Sequence, residues 1–271
     1  MINIKRSFTN KIFLFSMFLW IILAVIFGFT DLEISRAVVN ESSNWGNFGA
    51  VFGEIPGYTL IAISLATFLG GFIKKLHYQK IPAYISIVVG IIFIILSDDV
   101  TGTTTGYGLI FPVIIYVIIT WKKDWSTYRT LSGVISLLTI IHPLLIVQLM
   151  KIIWGRVRFR DLSIGFIEYT PWFFPQGITG HQSFPSGHTA MGWVLLPILI
   201  PLRRWEWKHP IRLIGTILII GWGIFVGLSR IVVGAHYASD VLFSSGIAIL
   251  ISYLLYTKYY QEGPILNKID T

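Results

Sequence analysis

The chain has 271 residues, of which 54% are hydrophobic and only 13% charged. Soluble globular domains carry about 25% charged residues, so this composition excludes an ordinary soluble fold and points to a polytopic membrane protein. The net charge of +8 would suit nucleic acid, but the basic residues sit in short clusters between apolar runs, as topology signals do, and no nucleic-acid partner is expected.

In chain order, Lys5, Arg6 and Lys11 precede an apolar run from Ile12 to Thr30. The run is long for a signal-peptide core and lacks a clean small-residue cleavage pattern, so a retained first span is expected. Seven more apolar segments follow: Gly57–Ile73, Pro82–Ser97, Gly106–Trp121, Leu131–Met150, Ser186–Leu202, Leu213–Leu228 and Val241–Thr257. Several are at the short end of the roughly 17–25 residues of a spanning helix. The third and fourth segments can also be read as re-entrant or interfacial. The expected fold is therefore all-α, a polytopic membrane helix bundle of eight spans, with six as the alternative. No linker divides it, so residues 1–271 are read as one domain.

Charge orients the bundle. With the N-terminus cytoplasmic and all eight segments crossing, fifteen of the 21 Lys and Arg residues, Lys268 among them, fall on the cytoplasmic side. The other six are Arg36, Lys151, Arg156, Arg158, Arg160 and Arg230. The positive-inside rule thus predicts a multi-pass protein of the cell membrane with both termini cytoplasmic. The outer loop Asp31–Pro56, with Asp31, Glu33, Glu41 and Glu54, reads as a surface segment. Asp98 and Asp99 read as a solvated helix end in preference to a cation site, because adjacent helical residues point in different directions. The loop Lys151–Pro185 carries Trp154, Tyr169, Trp172, Phe173 and Phe174, which suit an aromatic belt at the headgroups, a lip holding a lipid tail, or both.

Three stretches on the expected outer side carry chemistry. Lys151 and Arg158 are seven apart and share a face if one helix continues through Gly155. Pro185, Ser186, Gly187 and His188 open the sixth apolar run: Ser186 suits an N-cap, Gly187 allows a ligand close to the backbone, and His188 falls in the first turn. The helix start itself favours an anion. In Ser229–Asp240, Arg230, His236 and Asp240 meet at the boundary of two apolar runs, where charge is expensive unless paired or functional. If helical, Asp240 reaches back to His236 and fixes its tautomer. Lys151, Arg158 and Arg230, with donors around Ser186 and Gly187, suit the oxygens of a phosphoryl group. His236 can attack and His188 can protonate the leaving oxygen.

In this order, K-x6-R, PSGH and SR-x5-H-x3-D resemble the three signature motifs of the type 2 phosphatidic-acid phosphatase superfamily. Its membrane members dephosphorylate lipid phosphates or pyrophosphates, and its soluble relatives include vanadium haloperoxidases. The resemblance covers roughly Lys151 to Asp240, within a motif-bearing core of about 131–257, and implies a haloperoxidase-like helical catalytic core. It further implies that His236 forms a phosphohistidine oriented by Asp240, that His188 is the general acid, and that Lys151, Arg158, Ser186, Gly187 and Arg230 bind phosphate. Phe159 stands where the first motif usually has proline after its arginine, a change in backbone stiffness and not in charge. The implied function is a membrane phosphatase acting on a phosphorylated lipid at the extracytoplasmic face. The alternatives are a lipid-to-lipid phosphotransferase and an anionic-lipid transporter. No cofactor and no metal is expected: cysteine is absent, and both histidines and the single carboxylate already have roles. Arg156 and Arg160 lie outside the signature and are read as possible headgroup contacts. His181 could touch a headgroup, and His142 beside Pro143 is read as packing or bonding at a kink.

Overall fold

The computed structural model describes residues 2–261, so Lys268 lies outside the described residues, as do the side chains of Lys5 and Arg6. Among the described residues there are helices and turns only. The helices are α1 (Ile2–Val38), α2 (Asn44–Phe52), α3 (Ile55–Gly70), α4 (Ile81–Leu96), α5 (Val100–Ile119), α6 (Arg129–Thr139), α7 (Val147–Trp154), α8 (Gly187–Trp193), α9 (Leu199–Leu202), α10 (Pro210–Val232) and α11 (Ala238–Tyr256).

Seven helical stretches are long and apolar enough to cross a membrane: Thr9–Val38, Asn44–Gly70, Leu76–Leu96, Val100–Ile119, Trp125–Asp161, Pro210–Val232 and Ala238–Gln261. The eighth expected segment, Gly187–Leu202, is shorter. It is broken into α8, a 3-10 turn at Leu196–Ile198, and α9; Pro197 and Pro201 interrupt its hydrogen-bond ladder. The third and fourth expected segments form the full helices α4 and α5.

The pattern of burial is that of a lipid-facing bundle. Leu14, Phe15 and Phe18 of α1, Ile95 of α4 and Ile118 of α5 stand exposed, while Ser132, Ser136 and Thr139 of α6 are buried. Each of those three donates its hydroxyl to the carbonyl four residues back, which satisfies a polar group where no water reaches. α4 pairs with α5, α1 with α11, α3 with α6 and α8 with α10. The α4–α5 approach is close enough that a Cβ on Gly90 would lie 2.8 Å from the Gly106 carbonyl oxygen, the small-residue contact that lets membrane helices pack backbone to backbone.

One local expectation is narrowed and another changes. Between α6 and α7 the chain forms a π-helix at Ile140–Ile146 around Pro143. His142 there is fully buried with neither ring nitrogen hydrogen-bonded, so it packs at the distortion and does not bond. Asp31–Pro56 is no surface loop: α1 runs through Asp31 to Val38, α2 follows, and Asp31 is fully buried. Lys80, one of the fifteen cations placed on the cytoplasmic side, is also buried; its Nζ donates to the Lys123 carbonyl at 2.8 Å and lies 4.2 Å from the Trp125 ring. Asp99 behaves as a helix end should, accepting from the Gly102 N–H at 2.8 Å as the N-cap of α5.

Candidate active site

All three motif stretches fall at one end of the bundle. Lys151 is in the last turn of α7, Ser186 caps α8, Arg230 is in the last turn of α10, and Asp240 is in the first turn of α11.

Lys151 and Arg158 do not share a helix face. α7 stops at Trp154, and Gly155 caps it in the left-handed region at φ +50. A Cβ there would lie 2.2 Å from the Gly177 carbonyl oxygen, so the turn requires glycine twice over. Beyond it, Arg158 sits on a short loop with Asp161, Gly180, His181 and Gln182, lining a polar recess of about 220 Å³. Lys151 meanwhile points at α8: a Cβ on Gly187 would lie 3.3 Å from its Nζ.

Ser186 is the expected N-cap. Its Oγ accepts from the Thr189 N–H at 3.3 Å and from the Thr189 hydroxyl at 2.9 Å. Its own N–H is committed to the Asp240 carbonyl at 3.1 Å, and its carbonyl accepts from Ser244 at 2.6 Å. The second motif is therefore bolted to α11. Gly187 and His188 begin α8, where N–H groups have no earlier helical acceptor.

His236 and Asp240 meet, but not on one helix. His236 lies in the turn before α11, and Asp240 is the third residue of the helix. The Asp240 carboxylate turns back to accept from the Tyr237 N–H at 3.0 Å in a capping box. The same Oδ2 lies 3.4 Å from His236 Nδ1 and accepts from Ser183 Oγ at 2.5 Å. The contact orients the ring with Nδ1–H toward the carboxylate, leaving Nε2 to act. His236 is 3% exposed; burial lowers its pKa to about 4 from 6.5, against the opposing pull of the Asp240 hydrogen bond and charge. The ring is thus neutral near pH 7.

Sequence reasoning missed the residue that holds this end together. Arg156 is fully buried and cannot be a headgroup contact. It donates to Asp240 Oδ1 at 2.6 Å, Ser239 Oγ at 2.9 Å, Asp31 Oδ2 at 3.0 Å and the Thr170 carbonyl at 2.8 Å. Its guanidinium also lies 3.9 Å over the Tyr237 ring. Asp31 in turn accepts from the Ser239 N–H at 2.9 Å and from the Ser239 hydroxyl. One cation thereby ties α1 to the carboxylate that orients His236. A signal existed in Asp31 itself, a carboxylate directly after an apolar run, where it must find a partner. Arg160, by contrast, keeps a third of its side-chain surface exposed and lies near Asp161.

Three cations of the motif stretches stand apart from these pairs. Among the described ion pairs none uses Lys151, Arg158 or Arg230. The Nε atoms of Arg158 and Arg230 are buried without a hydrogen-bond partner among the described residues. The charges of Arg158, Glu54 and Arg230 all act on Lys151, so these groups share one small volume. Buried donors without acceptors are costly, and a fixed group of cations is the arrangement a phosphate would satisfy.

The long loop between α7 and α8 is pinned by its tryptophans. Trp154 Nε1 donates to the Trp172 carbonyl, and Trp172 Nε1 donates to Ala24 of α1 at 2.8 Å. Trp154 stacks on Phe184, and Trp172 packs against Phe243. These rings fasten loop to bundle, while Phe173 and Phe174 remain exposed.

Comparison with known proteins agrees with the motifs. Over 127 residues the chain is 31% identical to the lipid A 1-phosphatase of Rhizobium etli, covering 45% of this chain and 47% of that protein. It is 42% identical over 113 residues to the undecaprenyl-diphosphatase BcrC of Bacillus subtilis, covering 38% of this chain and 54% of that protein. The matched region spans about half the length of these relatives. No solved structure gives a significant match. The family model of the PAP2 superfamily matches residues 132–264, which hold all three motif stretches, so over this region the chain is similar to that superfamily.

Proposed function

We propose that the protein is a multi-pass membrane phosphatase that hydrolyses the phosphomonoester or diphosphate of a lipid through a phosphohistidine. The observation that carries this reading is the pair of buried, unpartnered guanidinium Nε atoms of Arg158 and Arg230 beside a buried neutral histidine backed by a carboxylate. Both relatives are named for removing phosphate from a lipid, which supports the same substrate class.

In this reading Lys151, Arg158, Arg230, the Ser186 hydroxyl and the Gly187 N–H bind the phosphoryl oxygens. His236 Nε2 attacks phosphorus while the bond from phosphorus to the lipid oxygen breaks, and His188 protonates that oxygen. Water then attacks the phosphohistidine with His188 as base; the P–N bond breaks, and inorganic phosphate leaves. Asp240 holds the ring throughout and stabilises the charge it gains. The fixed cations supply the charge stabilisation that phosphoryl transfer needs, so we propose a metal-independent reaction.

The site lies at the extracytoplasmic end, with both termini cytoplasmic when Gly187–Leu202 is counted as a crossing. Support comes from charge: apart from the site residues, the outer side keeps only Arg36, paired with Glu33 at 3.0 Å, and Arg160, near Asp161.

The test is phosphate release by purified protein from phosphatidic acid, a polyprenyl diphosphate and lipid A, with EDTA present. Release from at least one of these, abolished in His236→Ala and inhibited by vanadate, is expected. Reversible loss of turnover in EDTA would overturn the metal-free mechanism, and a fully active His236→Ala would overturn the nucleophile.

A further inference from the structure

Glu54 comes from the half of the chain without a signature motif, on the turn between α2 and α3. Its Oε1 lies 3.1 Å from Nδ1 of His188, and its Oε2 accepts from the Tyr58 hydroxyl at 3.1 Å. On the far side of the same ring, His188 Nε2 lies 3.2 Å from the Ala50 carbonyl oxygen. His188 is therefore flanked by two acceptors, one of them a carboxylate that is itself held by a tyrosine. The charges of Arg230 and Lys151 act on Glu54, so the pair faces the cation cluster and is not a remote surface contact.

The arrangement parallels the one at His236, with a difference in setting. His236 and Asp240 are almost wholly buried, whereas His188 and Glu54 keep 27% and 18% of their side-chain surface exposed. A neutral imidazole can donate to only one of two flanking acceptors; an imidazolium donates to both. Burial and the neighbouring Arg230, His236 and Lys151 oppose a charge on this ring, and the carboxylate at Nδ1 favours it.

We propose that Glu54 is a positioning residue for His188, holding Nδ1–H so that the ring can carry a second proton on Nε2 once a phosphate dianion sits among the cations, and pass it to the lipid oxygen as it leaves. This rests on the general-acid role proposed for His188. The proton balance is simple: Nε2–H moves from the Ala50 carbonyl to the leaving oxygen, and the ring becomes neutral with Nδ1–H still on Glu54. Nε2 then accepts a proton from the water that cleaves the phosphohistidine. The N-terminal half would thus contribute a working part of the site, not merely a scaffold.

The leaving group provides the test. Full-length protein in micelles is assayed on an alkyl phosphate and on a nitroaryl phosphate carrying the same tail, whose leaving oxygen needs no proton. General acids contribute about 10²–10⁴-fold. Glu54→Gln should therefore lose about 100-fold in kcat on the alkyl substrate, with KM within about twofold, and less than about threefold on the nitroaryl one. Glu54→Asp, which keeps the charge, should recover part of the alkyl activity; it also serves if the Gln variant does not fold. Equal losses on both substrates, or a loss confined to KM, would overturn the proposal in favour of a structural role. His188→Ala separates the two levels. If its loss is equal on both substrates, the general-acid reading fails and the proposal with it. If its loss depends on the leaving group and that of the Glu54 variants does not, only the role of Glu54 fails.

Discussion

Replacing Arg156 by methionine keeps an unbranched stem and removes the guanidinium. The side chain is 1% exposed and makes four hydrogen bonds, two of them to the fully buried carboxylates of Asp31 and Asp240. Removing one partner of a buried ion pair costs about 3–5 kcal/mol, because the partner left behind is a desolvated charge. Here two carboxylates are left from one deletion, which puts the expected loss near the top of that range, about 5 kcal/mol. In a chain of this size 1 kcal/mol moves the melting midpoint by roughly 2–4 °C, so Arg156→Met should melt about 10–20 °C below the parent, followed by tryptophan fluorescence in detergent. The companion variant Asp31→Asn removes one of the stranded charges. The double variant should therefore melt higher than the sum of the two single losses predicts, the signature of coupled groups. A midpoint within about 3 °C of the parent for Arg156→Met, or strictly additive losses, would refute the bridging role. Turnover should fall as well, since the same deletion frees the Asp240 carboxylate from the position in which it meets His236.

Three other outcomes follow from the geometry. Burial lowers the His236 pKa to about 4, and protonation blocks the nucleophile. The acid limb of kcat/KM assigned to it should thus lie near 4 once the substrate's own phosphate ionisation near 6 is subtracted; a limb at 6.5 would contradict the buried ring. The same lowered pKa contributes stability that is full above about 6.5 and lost as pH falls toward 4. Arg158→Gln and Arg230→Gln should each weaken inhibition by vanadate about 10–100-fold, the loss of a charge-assisted hydrogen bond worth roughly 1.5–3 kcal/mol; unchanged inhibition constants would remove them from the phosphate site. Gly155→Ala should lower the melting midpoint well beyond Gly177→Ala. Both glycines have positive φ, but only at Gly155 would the new Cβ meet backbone, 2.2 Å from the Gly177 carbonyl oxygen; equal effects would mean the loop yields.

The apolar runs were legible because lipid demands long uninterrupted stretches, and all but one became helices of spanning length. The exception, Gly187–Leu202, carries Pro197 and Pro201, whose effect on the ladder a hydropathy reading does not weigh. Spacing identified the right neighbours for local reasons that differ from those assumed. Lys151 and Arg158 share a face only if one helix continues through Gly155, which ends it, and His236 and Asp240 meet through a capping box. What stayed hidden was long-range. Asp31 and Glu54 read as loop acids because their partners, Arg156 and His188, lie far along the chain. No periodicity encodes such a pairing; only the unfavourable cost of an unpaired charge at an apolar boundary hints at it.

Those two acids also explain how one crowded end of a bundle can hold so many cations. Arg156 is neutralised internally by Asp31 and Asp240, and it is the most deeply buried of the group. Its charge fixes the carboxylate that meets His236 and is spent within the protein. Lys151, Arg158 and Arg230 form a second, shallower layer without such partners, and Glu54 is the carboxylate set among them, engaged with His188 and Tyr58. A layer with surplus positive charge attracts anions, a dianion more than a monoanion, and it has little to offer a neutral headgroup. Were Asp31 absent, Asp240 alone would balance Arg156; were Arg156 absent, the Asp240 charge would be left to weaken the field of the cations above it. The separation of an internally balanced layer from an unbalanced one is therefore what leaves His236 oriented, and its burial keeps it neutral, while the groups around it remain positive.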